Sequence, residues 1–275
     1  MVNELQKNKE EESLVSQLIA QIKQDIQENG TDGTLTNISI KRILKTKKPN
    51  LIYTALEELQ DIYPIQKLEA FFLSGAYPLW NLKIAHCIKG ANLSANEKAV
   101  LKSHDARCNY FYRKEIPNAN KNAHALKIIK SKDPETNYLL ALEQDERYMK
   151  SCEQNVLESK SLEWNFNYMR DVRGANIPAH DQILIDGNKA IYDCYAVMYV
   201  PKSNNPAHAD KVLADGNPRL NFLVALWGHG VNKYAHALAI KESGNELYLR
   251  EFKNHVGKIY LDNANVYGKT SSMQA

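Results

Sequence analysis

The sequence predicts an α+β protein in which an N-terminal helical bundle packs on a C-terminal antiparallel sheet. Three observations predict it. Apolar residues recur at helical spacing through most of the first two thirds of the chain. Gly174-Ala175-Asn176-Ile177-Pro178 then marks a change of character. Beyond it, β-branched and aromatic runs alternate with Gly/Asn turns. The expected divisions are a disordered tail over residues 1–12, a helical region over 13–172 and an antiparallel β region over 173–275, the last two sharing one composite core.

Residues 1–12 are polar and carry Glu10-Glu11-Glu12, so they read as a solvated tail. Ser13 can cap a helix whose Leu14, Val15, Leu18, Ile19, Ile22 and Ile26 share one side, and Asn29-Gly30 ends it. Two further helices are expected over 37–46 and 50–62, and two short ones over 65–90, broken near Gly75 and Pro78. Ser94 and Glu97 are spaced as a capping box opening a helix to Lys114, with His104 and Cys108 on one face. A helix over 120–131 and a long one opening at Asp133-Pro134 complete the bundle.

The strands follow. Residues 182–186 and 189–200 flank an Asp186-Gly187-Asn188 turn; 220–227 is a continuous apolar run, as in a central strand. Tyr234–Lys241 and Glu246–Phe252 form a second hairpin around Gly244-Asn245, and 258–262 is a last strand. No internal repeat or low-complexity tract stands out.

With 44% apolar and 24% charged residues, the chain can build a packed core. Thirty-five Lys and Arg against 32 Asp and Glu leave +3, too small an excess to call for nucleic acid or an anionic membrane as partner. No run of 18 apolar residues spans a bilayer, and Met1–Glu12 lacks the basic start and apolar stretch of a secretory signal. A cytoplasmic location is expected, with export by a signal-independent route left open. Cys87, Cys108, Cys152 and Cys194 form no C-x-x-C pair and read as free thiols, so no metal or other cofactor is expected.

One constellation carries chemistry. In the second hairpin, His236 and Glu251 fall on one face as diagonal neighbours, so the carboxylate can orient the imidazole. With the thiol of Cys108 from the helical half, they make a Cys-His-acid device. The segment Ala235-His-Ala-Leu-Ala-Ile-Lys-Glu-Ser-Gly-Asn-Glu-Leu-Tyr-Leu-Arg-Glu251 resembles the His-to-acid segment of YopT-type cysteine proteases, papain-like bacterial effectors. The resemblance covers about twenty residues and implies a thiol-dependent hydrolase acting on a protein substrate, with Cys108 as nucleophile, His236 as general base and Glu251 as orienting acid. Two departures accompany it: Glu251-Phe252-Lys253-Asn254 replaces an Asp-Pro-Asn turn, and Cys108 is placed inside a helix rather than at its start.

Plainer readings stand beside these. His236 among apolar neighbours also fits a core histidine, and Cys152 and Cys194 fit structural positions. The alternative function is a non-catalytic adaptor that grips a protein partner with exposed aromatics, consistent with 15 tyrosines. The remaining reading is a helix-turn-helix, with Lys41, Arg42, Lys45, Lys47 and Lys48 at phosphates, but Glu57, Glu58 and Asp61 on its recognition helix face a polyanion poorly.

Overall fold

A computed structural model describes residues 2–31 and 33–268. In its first part lie α1 (Val2–Asn29), α2 (Thr34–Lys45), α3 (Pro49–Leu59), α4 (Gln66–Ser74), α5 (Pro78–Cys87), α6 (Leu93–Lys102), α7 (Ala106–Glu115) and α8 (Lys121–Ser131). There follow α9 (Pro134–Ala141), α10 (Glu146–Ser159), α11 (Leu162–Asp171), α12 (Ile177–Gly187), α13 (Ala190–Tyr199), α14 (Asn205–Asp215), α15 (Pro218–Trp227) and α16 (Lys233–Ser243). The described chain ends with α17 (Glu246–Phe252), a π-helical turn (Lys253–Gly257), α18 (Lys258–Asp262) and α19 (Ala264–Tyr267). No described residue lies in a β-strand, so the expected α+β class is corrected to all-α.

The expected strands are helices for a physical reason. Ala190–Tyr199 and Pro218–Trp227 have helical neighbours before and after them in the stack, so most of their surface is apolar and their 3.6-residue period is masked. The supposed hairpin turns are helix ends. Asn188 and Gly244 take the left-handed conformation that closes α12 and α16, with φ of 50° and 66°. Asn245 then caps α17 by accepting from the Tyr248 N–H. The N-terminal expectations change less. α1 begins at Val2, through the stretch read as a tail, and the helix expected from Ser94 to Lys114 breaks at Ser103–Asp105 into α6 and α7.

The helices repeat. α5, α7, α9, α11, α13, α15 and α17 begin at residues 78, 106, 134, 162, 190, 218 and 246, a period of 28. Each is followed by a second helix, and α6, α8, α12, α14 and α16 begin at 93, 121, 177, 205 and 233 on the same period. The chain is therefore a tandem array of helical hairpins, a periodicity the sequence reading above does not detect.

Two compact units divide at Ser131–Lys132. In the first, α1/α2, α3/α4, α5/α6 and α7/α8 are successive hairpins; α3 packs on α5 and α5 on α7, while α4 packs on α6 and α6 on α8. In the second, α9, α11, α13, α15 and α17 pack in sequence, and so do α10, α12, α14 and α16. Equivalent positions supply the cores. Val100, Ile128, Val156, Leu184, Val212 and Ile240 occupy one position of the second helix, and all are fully buried. The polar repeat ends are satisfied locally: Asn92, Asn120, Asn176, Asn204 and Asn232 cap second helices by accepting an N–H three residues on, each such cap contributing about 1 kcal/mol.

Candidate functional site

Each unit carries a buried polar ladder across its repeats, built by two positions. The fourth residue of the first helix is Asn81, Asn109, Asn137, Asn165, Asp193 and Asn221 in successive repeats, and all six are buried. The Asn side-chain amides donate to backbone carbonyls: Asn165 Nδ2 reaches Val156 O at 3.1 Å in the preceding repeat and Ser161 O at 2.8 Å. Asn221 does the same with Val212 O and Asn217 O. Their Oδ1 atoms are left to accept from the second helix.

The second position, fifteen residues later, is His124, His180, His208 and His236 in four repeats, each fully buried. Nδ1 of His124, His180 and His236 lies 2.9, 2.7 and 2.7 Å from Oδ1 of Asn109, Asn165 and Asn221. Because each Asn amide donates elsewhere, the ring Nδ1 carries the proton. Two repeats lack this histidine: where Cys152 stands in its place, Asn155 Nδ2 donates to Asn137 Oδ1 at 3.0 Å, and where Asn96 does, its Nδ2 donates to Glu69 Oε1 and Asn92 O.

A third position links one repeat to the next. The residue after this second position is acidic in three repeats (Glu97 after Asn96, Glu153 after Cys152, Asp181 after His180), and its carboxylate accepts the N–H of the following repeat's cap residue. Glu97 takes Asn120 N, Glu153 takes Asn176 N at 2.6 Å and Asp181 takes Asn204 N at 2.6 Å. The same carboxylates face the next buried ring: Glu97 and His124 Nε2 are 3.4 Å apart, and Glu153 and His180 Nε2 3.5 Å. Burial lowers the pKa of both histidines, more than the glutamates raise it.

Two of the four repeats with the histidine depart from this pattern. At His208 the asparagine is replaced by Asp193, so Nδ1 meets Asp193 Oδ1 at 2.7 Å and Nε2 meets Asp181 Oδ1 at 3.2 Å. Two carboxylate acceptors demand two ring protons. Burial opposes the charge, yet the hydrogen bonds from both aspartates push His208 up to about 8. At His236 the linking acid is replaced by Ala209, Nε2 has no partner, and burial drives the ring down to about 4.

The three residues expected to act on a thiol mechanism fall as follows. Cys108 lies in the first unit, buried at 4% exposure with Leu82, Val100, Tyr112 and Ile116. It sits in the first turn of α7, where a helix dipole favours thiolate. Burial and the carboxylate of Asp105, which also caps the Cys108 N–H at 2.8 Å, instead push the thiol up to about 12. His236 and Glu251 belong to the second unit, on α16 and α17 rather than on paired strands, so the hairpin register that joined them is corrected. The ring of His236 is committed to Asn221, and Glu251 lies 3.3 Å from His255 and 3.6 Å from Arg250. Within the second unit, His236 and Glu251 share no hydrogen bond among the described residues.

The basic segment read as a helix-turn-helix lies on α2 and in the turn that leads to α3. Leu51, Ile52, Ala55, Leu56 and Leu59 of α3 are buried in the core of the first unit. Among the described residues, no group of His, Cys, Asp and Glu is placed to hold a metal ion, and no helix is long and apolar enough to cross a membrane.

The second unit carries an aromatic surface on its first helices, which composition alone did not locate. Tyr199 on α13 and Trp227 on α15 hold the same repeat position on packed helices and are 53% and 56% exposed. Behind Tyr199, Phe166 stands 5.7 Å from Tyr195 and 6.5 Å from Tyr199, and the Arg170 guanidinium lies 5.0 Å over the Phe166 ring. The signal that would have found both ladder and surface is a 28-residue self-comparison, which aligns Asn with Asn and His with His. Comparison of the chain with protein-family models, with curated proteins and with solved structures finds no match.

Proposed function

We propose that the chain is a non-catalytic adaptor whose helical-hairpin array presents an aromatic surface to a protein partner. The exposed pair Tyr199 and Trp227 carries this reading. Large aromatics that stay more than half exposed on adjacent packed helices bury much apolar area on binding, and few rotamers are lost. Phe166, Tyr195 and Arg170 back Tyr199 with packed rings and a stacked guanidinium, as an interface anchor requires. The histidines, by contrast, are engaged in joining the two helices of a repeat, and the buried thiol of Cys108 is held neutral.

Panning a random peptide library on the full-length protein tests this. Enriched peptides should bind wild type and lose at least tenfold in affinity to a Tyr199→Ala/Trp227→Ala variant, with the thermal midpoint unchanged. Peptides that bind wild type and variant equally, or no enrichment at all, would refute the surface.

A further inference from the structure

The nearly neutral total charge conceals a strong asymmetry. Between Pro78 and Ser131 the chain has ten Lys and Arg against three acidic residues, a local +7, whereas residues 132–275 have sixteen against eighteen. The three carboxylates of the basic segment are occupied in the fold. Glu97 accepts from Asn120 N, Asp105 caps α7, and Glu115 lies 3.7 Å from His86. Lys98, Lys102, Lys127 and Lys130 have no described carboxylate within 4.0 Å, and all but the half-buried Lys127 are exposed. They lie on α6 and α8, which pack side by side. The second unit reverses the charge at three of four equivalents of Lys102 and Lys130: Glu158, Asp186 and Glu242, with Ala214 the neutral one.

Two clefts of different chemistry adjoin this lysine row. One, of about 260 Å³, is polar and lined by Lys127, Lys130, His104, Ser103, Ser131 and Asn109. The other, of about 570 Å³, shares Ser103 and His104 as a common wall and has a mainly apolar lining that includes Leu73, Tyr77, Pro78 and Ala99, with Lys102 and Asp105 at its side. A cationic hydroxyl-bearing cleft beside an apolar one with a half-buried tyrosine matches the alternation of phosphate and base along a single strand. The concavity favours a thin, flexible polyanion over a bilayer surface. Lysine rather than arginine on the row suits contacts that follow the backbone without reading sequence.

We propose that the first unit binds single-stranded nucleic acid here, with backbone phosphates at Lys127 and Lys130, continuing along Lys98 and Lys102, and a base in the apolar cleft by Tyr77. This surface is separate from the aromatic one in the second unit, and either assignment stands without the other.

Fluorescence anisotropy of the full-length protein with a labelled thymidine 15-mer tests the proposal. Affinity should fall as salt rises from 50 to 200 mM, with a log–log slope of about −2 to −3, the value for three to four phosphates on a single strand. Lys127→Glu/Lys130→Glu should weaken binding at least tenfold without moving the thermal midpoint, since both side chains lie outside the core. An abasic 15-mer should bind at least fivefold more weakly than the thymidine one. Absence of binding at 50 mM salt, or equal binding by wild type and the double variant, would overturn the proposal. So would tighter binding to phosphatidylserine vesicles or to poly-glutamate. Equal binding of the abasic strand would overturn the assignment of the base cleft.

Discussion

The Nδ1 of His236 lies 2.7 Å from Oδ1 of Asn221, while its Nε2, facing away from any partner, is buried without a hydrogen bond. The same two residue types meet at His124 and His180, where a glutamate one repeat back stands near the second nitrogen. Ala209 occupies that place before His236. One ladder geometry thus yields rings of different electrostatic character, decided by a neighbour 27 residues away.

His236 should make the protein acid-sensitive. Its folded pKa of about 4 lies below the unfolded value near 6.5. Its contribution is therefore complete above pH 6.5 and is lost as pH falls toward 4, on the order of 3 kcal/mol over that window. Denaturant melts across pH 4–7 should show this loss. His236→Asn should flatten it, and Ala209→Glu should raise the ring's pKa in an NMR titration. An unchanged slope in His236→Asn would show that another group is responsible.

His208 should act in the opposite direction. Its pKa is raised to about 8, so its ion-pair contribution is complete below pH 6.5 and is lost as pH rises through 8. Asp193→Asn restores the common ladder residue, whose amide oxygen still accepts from Nδ1, and removes one of the two carboxylate charges that favour the protonated ring. The variant should lose the alkaline-side decline between pH 6.5 and 8.5, with the His208 resonance titrating at lower pH. Together the two rings place maximal stability of the second unit near pH 6.5.

The link between repeats is open to a double-mutant cycle. Glu153 accepts from Asn176 N and faces His180. Glu153→Gln and His180→Asn should each destabilise by about 1–2 kcal/mol, with a coupling of at least 0.5 kcal/mol between them. Strict additivity would mean that the carboxylate serves the backbone cap alone.

Thiol reactivity should follow exposure. Cys87 is exposed, whereas Cys108, Cys152 and Cys194 are buried, and burial pushes Cys108 and Cys194 up to about 12. Under native conditions at pH 7.5, iodoacetamide should modify Cys87 first, with Cys108 labelled at least a hundredfold more slowly. Mass mapping checks this. Rapid labelling of Cys108 that slows in His236→Ala would revive a thiol mechanism.

The helices of the N-terminal half were legible because each has one core-facing stripe: Leu18, Ile19 and Ile22, or Leu51, Ile52 and Leu56, point inward together. Caps at Asp133 and breaks at Gly75 and Pro78 were legible for the same local reason. Ala190–Tyr199 and Pro218–Trp227 were not, since neighbours flank them along the stack and erase the stripe. Gly244-Asn245 misled because a helix end followed at once by a helix start uses the residues of a hairpin turn.

By itself, the sequence determined the helical course of the N-terminal half; the residue types that recur every 28 positions are also written in it, but went unread. Tertiary structure decided what those residues do. Asn221 and His236 are fifteen positions apart and become partners only when two helices fold back on each other. A carboxylate such as Asp181 meets His208 only when one hairpin stacks on the next. A ring's charge depends on what surrounds it at a few ångströms, and in a repeat protein that neighbour comes from the adjacent hairpin rather than from the adjacent residue.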